Sequence, residues 1–190
     1  FFFKTNNPRQ NVLAPFSEFL ILHFQILSSS DIFTNLVQWI SLIIGLTAVS
    51  LICKEFELGQ KLQIISAVFI CSLPIVLLQA SSTKNDIVAS TFILLFYYYQ
   101  VILVKRYSIA SVYLSGLSLG LGILTKGTCY ILIFAIGITY FTYLITFKIW
   151  DLKKIIFRYG IIFSIGFLIN LPHYLRNLLK YDDMLGLNTL

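Results

Sequence analysis

The chain has 190 residues, 58% of them apolar, 16% aromatic and only 12% charged, with a mean hydropathy of +0.86. A soluble domain carries about twice that share of charge, so a soluble enzyme, a disordered segment, a fibre and a disulfide scaffold are excluded, leaving an integral membrane protein. The net charge of +6 does not point to nucleic acid, because the excess gathers in particular connections, as membrane topology demands.

The chain opens on Phe1-Phe2-Phe3 without a basic stretch and a small-residue cleavage site, so a signal peptide is not expected. It reads as one transmembrane domain and an internal piece of a longer protein. Residues 32–175 hold the spanning helices, between an amino-terminal stretch at 1–31 and the start of the next outer segment at 176–190. Cys53, Cys71 and Cys129 lie in or beside apolar runs and read as free thiols packed among helices.

In chain order, the first apolar run covers 19–30. It is short and contains His23 and Gln25, which predicts an interfacial or partly buried helix. Six longer uncharged runs follow, at 32–53, 62–83, 87–104, 107–125, 127–147 and 159–175. Each falls within the length needed to cross a bilayer. Backbone groups in hydrocarbon must bond internally, and these runs do not alternate as barrel strands do, so each is expected to be helical. The expected fold is all-α: a polytopic transmembrane helix bundle with about six spanning helices and a short amino-terminal interfacial helix.

Six spans sort the connections into two sets. One holds Lys54, Lys61, Lys105, Arg106, Lys148, Lys153, Lys154 and Arg158; the other holds Lys84, Lys126, Arg176 and Lys180, with Lys4 and Arg9 near the start. The richer set is expected in the cytoplasm. The poorer set, on the periplasmic or lumenal side, carries mixed polar turns and five of the eight acids: Glu18, Asp31, Asp86, Asp182 and Asp183. Chemistry is therefore expected on the outer face. Tyr97-Tyr98-Tyr99, Tyr107, Tyr140 and Tyr143 read as an interfacial belt. Gly116 and Gly120, with Ser111, Ser115 and Gly122, form a small-residue stripe suited to close helix packing.

Three outer constellations stand out. Asp86 is expected to open a helix at its positive dipole end with Lys84 nearby, able to hold an anionic group or orient a sugar hydroxyl. Lys126 stands alone between two spans in Leu-Thr-Lys-Gly-Thr; it needs a partner or the interface, and could face a phosphate. Gly127 is expected to turn the chain with positive φ. In Pro172-His173-Tyr174-Leu175-Arg176-Asn177, the proline is expected to kink or end its span, with Arg176 and Asn177 emerging where arginine can grip a phosphate. His173 reads as a hydrogen-bonded histidine before a metal ligand. No metal-spaced histidine pair or phosphate-cradling glycine loop occurs, so no cofactor is evident, although a divalent metal stays compatible.

The order of Glu18 after Pro15, then Ser-Thr-Lys-Asn-Asp, then Gly-Leu-Gly-Ile-Leu-Thr-Lys-Gly, then Leu-Pro-His-Tyr-Leu-Arg-Asn and Tyr-Asp-Asp-Met-Leu-Gly resembles the GT-C membrane glycosyltransferases. More narrowly it is similar to bacterial relatives of protein O-mannosyltransferases and aminoarabinose transferases. The resemblance covers nearly the whole chain and implies that residues 1–31 are part of the family's first outer loop. Where that family has Pro-Pro this chain has Ala14-Pro15, and the aromatic expected after the later proline is His173. The resemblance implies a hexosyl- or pentosyltransferase of the bacterial inner membrane. Its donor would be a polyprenyl-phosphate-linked sugar, and a lipid, glycan or protein acceptor would meet it at the periplasmic face. It implies substrate binding by Lys84, Asp86, Lys126, Arg176 and Asn177. It also places the catalytic base ahead of Phe1, leaving Glu18 and Asp86 as the acids within this chain and the piece alone inactive. A transporter or lipid flippase is the alternative, and an assembly subunit without chemistry the third reading.

Overall fold

A computed structural model describes residues 9–185. The Phe1-Phe2-Phe3 start, Lys4 and the last five residues lie outside it, as does the side chain of Arg9. Among the described residues every regular element is a helix: α1 Arg9–Val12, α2 Phe16–Ser28, α3 Leu36–Glu55, α4 Gln60–Ser72, α5 Pro74–Ala80, α6 Asp86–Lys105, α7 Ile109–Thr125, α8 Thr128–Thr146 and α9 Leu152–Tyr181. The all-α bundle expected from the uncharged runs is what forms.

α2 is the short amino-terminal helix. The chain leaves it through Ser29 in the left-handed region (φ 50°) and turns through Asp31, whose carboxylate accepts from Gln25 (2.7 Å). α3, α6, α8 and α9 are each long and apolar enough to cross a membrane, and the α4–α5 pair makes a fifth if taken as one bent span. α7, with 17 residues, is about 26 Å long, near the lower limit for a crossing. The expectation of about six spans thus resolves into four full-length helices, one bent pair and one short apolar helix.

The bend in 62–83 has a local cause. Pro74 opens α5, and Leu73 before it is extended (ψ 119°). A proline's ring clashes with α-helical geometry at the preceding residue. The two helices meet at 72°. Pro172 behaves differently. α9 continues through it to Tyr181, so the expected helix end there is not found; prolines persist in membrane helices where neighbouring groups satisfy the freed backbone. α9 also begins before the uncharged run does, because Lys153, Lys154 and Arg158 lie in its first turns, and cations are tolerated where a helix leaves the hydrocarbon.

α7 packs between α6 and α9. Its glycine stripe is what permits this. A methyl group on Gly116 would stand 2.9 Å from Ile165 Cβ, and one on Gly120 would stand 3.1 Å from the Gly166 backbone. Phe96, Leu103, Val112, Leu119, Cys129 and Ile162 fill the core around this contact. Two polar ties cross it: Gln100 donates to Ser115 (2.7 Å) and accepts from Tyr159 (2.7 Å), while Asn170 donates to the Gly120 carbonyl (2.9 Å). Interhelical hydrogen bonds of this kind contribute about 0.6–2 kcal/mol each in membranes.

The two sets of connections lie at opposite ends of the bundle. At the basic end Arg106 pairs with Glu55 (2.7 Å), and the Arg158 guanidinium sits 3.8 Å from the rings of both Tyr107 and Trp150. These contacts are more organised than a set of plain topology signals requires.

Candidate functional site

At the other, polar end, loops from separate elements meet. Gln38, fully buried near the start of α3, organises one of them. Its side-chain amide donates to the Lys84 carbonyl, and its oxygen accepts from the Val88 amide (3.3 Å). These bonds fix the connection between α5 and α6. Asp86 is the first residue of α6, as expected, so its carboxylate lies at the positive end of the helix dipole.

The α7–α8 turn supplies the cation. Lys126 follows α7 in an extended conformation (φ −157°, ψ 136°), which breaks the helix and carries the side chain toward α6. Its Nζ forms an ion pair with Asp86 Oδ1, both side chains being about one-third exposed at 33% and 35%. The solitary lysine therefore has a partner. Gly127 adopts ordinary right-handed geometry (φ −60°, ψ −29°). The expected positive φ is absent, because the extended Lys126 backbone already separates the two helices.

Asn85 joins a third element. Its Nδ2 donates to Glu18 Oε1 (3.2 Å) on the first turn of α2 and lies 3.4 Å from the Thr125 carbonyl. Glu18 keeps an exposed face and is partly enclosed by the surrounding protein. Burial raises its pKa above the ordinary 4.5, against smaller lowering by its backbone hydrogen bond and by Asn85. Glu18, Asn85, Asp86 and Lys126 thus form one connected cluster. Lys84 does not join through its side chain, which is exposed; its backbone is engaged, the carbonyl by Gln38 and the amide by Ser82 Oγ (3.3 Å).

Arg176 and Asn177 form a second node. Asn177 is fully buried and does not emerge at the surface as expected. It sits on the inward face of α9, where its Nδ2 donates to the Val12 carbonyl (3.2 Å) and its oxygen accepts from Arg176 (2.8 Å). Arg176 also donates to His173 Nδ1 (2.9 Å), which makes His173 a hydrogen-bonded residue of this node. Tyr130 and Tyr174 join hydroxyls at 2.7 Å, bracing α8 to α9. A cavity of about 270 Å³ opens here, lined by Val12, Leu13, Ala14, Gly127, Tyr130 and His173. Gly127 follows Lys126 directly, so the cavity adjoins the turn that carries the cation. The polar outer turns reach one end of the molecule, but as two nodes with this cavity between Gly127 and His173. Among the described residues no three His, Cys, Asp or Glu side chains gather.

Sequence reasoning passed over Gln38 and Asn85 as individual residues. Gln38 had a signal, a polar amide inside an apolar run. Asn85 had only its place beside Asp86.

A family model described as dolichyl-phosphate-mannose-protein mannosyltransferase matches residues 13–175. The chain belongs to that family. It is accordingly a membrane glycosyltransferase of the GT-C type, which answers the transporter and subunit alternatives in favour of an enzyme. The matched segment runs from the cavity wall at Leu13 through the Glu18, Asp86 and Lys126 cluster to the His173 turn of α9. Comparisons with curated proteins and with solved structures gave no significant match.

Proposed function

We propose that this mannosyltransferase-family chain serves transfer of a sugar from a polyprenyl-phosphate donor to a lipid, glycan or protein acceptor at its polar end, on the extracytoplasmic face of a bacterial inner membrane. One observation carries the reading: α2, α6 and the α7–α8 turn bring Glu18, Asp86 and Lys126 into a single cluster. That cluster combines a cation suited to a phosphate with two carboxylates suited to hydroxyl groups.

In the reaction, the acceptor oxygen bonds to the anomeric carbon. The bond from that carbon to the phosphate oxygen breaks, and its electron pair leaves on the lipid phosphate. The acceptor's proton passes to a base. Lys126 is the group to stabilise charge on the departing phosphate. Asp86 holds Lys126 in place and keeps its second oxygen for a sugar or acceptor hydroxyl. Glu18 is the proposed proton acceptor, because burial raises its affinity for a proton and, among the described residues, no cation pairs with it. Arg176, bonded within its own helix, acts with Asn177 by holding Val12 at the cavity wall. Lys84, exposed beside the cluster, supplies a second positive charge to an approaching phosphate.

The test is transfer from a polyprenyl-phosphate sugar by the protein reconstituted in vesicles. Lys126→Ala is expected to lose about 10²–10³-fold in turnover, the cost of removing one such group, with membrane insertion unchanged. Full activity in that variant removes Lys126 from the chemistry.

A further inference from the structure

At the basic end, a cavity of about 360 Å³ lies between α6 and α8. Its wall is almost wholly apolar and aromatic, formed chiefly by Phe56, Tyr97, Val101, Tyr140 and Tyr143, and Lys105 is the charged residue on it. The α6 stretch from Tyr97 to Lys105 is about 12 Å long, enough for several methylenes of a lipid chain. Tyr97 and Tyr140 meet edge to face at 5.7 Å, which joins α6 and α8 at one end of this stretch. The Lys105 ammonium lies over the Phe56 ring at 5.8 Å.

The cations of this end are not equivalent. Arg106 is taken by Glu55 and Lys154 by Asp151, while Arg158 is held between two rings. Among the described residues no carboxylate forms an ion pair with Lys105. An apolar groove on a membrane face accepts any acyl chain, so the selection must come from the charge at its mouth. Basic pockets between spanning helices, on the side where positive residues gather, attract anionic headgroups.

We propose that the α6–α8 groove binds an anionic phospholipid, with one acyl chain along the apolar wall and the phosphodiester at Lys105. This site lies at the opposite end from the transfer cluster and is independent of it. Its occupant would tie the two helices together at the membrane surface.

The experiment is native mass spectrometry of the purified protein titrated in detergent with phosphatidylglycerol or phosphatidylcholine. The wild type is expected to retain phosphatidylglycerol in preference. Lys105→Ala is expected to lose about fivefold of that preference, and Lys105→Arg to keep it. Thr139→Trp, which fills the groove from an exposed position on its wall, is expected to lower retention of both lipids. Lys153→Ala, on the same end but not on the groove, is expected to change nothing. Equal retention of the two lipids by the wild type, a preference that survives Lys105→Ala, undiminished retention by Thr139→Trp, or an equal loss in Lys153→Ala overturns the proposal.

Discussion

Asn85 shows how much a small amide can govern. It bonds to Glu18 while also lying near the Thr125 carbonyl, so it positions an acid it does not resemble in chemistry. The hydrogen bond favours the ionised carboxylate and opposes the larger effect of burial, which raises the Glu18 pKa. Asn85→Ala removes that opposition, and the carboxyl should hold its proton to still higher pH. If Glu18 accepts the acceptor's proton, the acid limb of the transfer rate should move upward in Asn85→Ala while the rate at high pH changes less; a pH–rate profile reads this directly. Stability follows the opposite sign. A raised carboxyl binds its proton more tightly in the folded protein than in the unfolded chain. Its stabilising contribution is therefore complete below the ordinary value of 4.5 and is lost as pH rises through the folded value. Thermal melts of the wild type across that window should fall with rising pH, whereas Glu18→Gln should flatten the fall.

At the scale of the element, the small residues of α7 and α9 decide how the bundle closes. Gly120 faces α9 so closely that an added Cβ would stand 2.7 Å from Ile169 Cδ1 and 3.1 Å from the Gly166 backbone, whereas nothing lies within 4 Å of a Cβ on Gly160. The first contact includes main chain and cannot be relieved by turning a side chain. Gly120→Val should therefore destabilise by about 1–3 kcal/mol through overpacking. Gly160→Ala should be neutral or stabilise by up to about 1 kcal/mol, because alanine loses less backbone freedom in a helix. Melting of the two variants in the same detergent separates these effects. The stripe was legible in the sequence because glycines four apart share a helix face. The starts of α6 and α8 were legible because charges bound the apolar runs. The bend at Pro74 was not read, since counting uncharged residues is blind to a proline in their midst. The full length of α9 was missed for a related reason: its ends carry Lys153, Lys154 and Lys180, and a run defined by lack of charge stops where the hydrocarbon stops. Gln38 and Asn85 act across about 50 residues or more of sequence, a distance at which no local pattern names the partner.

For the whole molecule, the separation of its two ends governs any account of function. The sequence divides the connections by their positive charge, and the fold places the two classes at opposite ends of the helices, with Glu55–Arg106 and Arg158 at one and Glu18, Asp86 and Lys126 at the other. Lys and Arg resist translocation, and on that ground we propose that the basic end faces the cytoplasm and the candidate site the other side. This orientation matters to the proposed reaction, because a lipid-linked donor would reach the site only from the leaflet its phosphate occupies. Cysteine labelling can decide it. Thr83, on the α5–α6 connection at the polar end, and Lys153, in the first turn of α9 at the basic end, are both exposed. In a background with Cys53, Cys71 and Cys129 replaced, Thr83→Cys should react with a membrane-impermeant maleimide in intact cells. Lys153→Cys should react only after permeabilisation. The reverse pattern would place Glu18, Asp86 and Lys126 in the cytoplasm and turn the donor to the inner leaflet. Labelling of both positions from one side would contradict the bundle itself, because α6, α7 and α8, which lie between the two positions, could not then all cross.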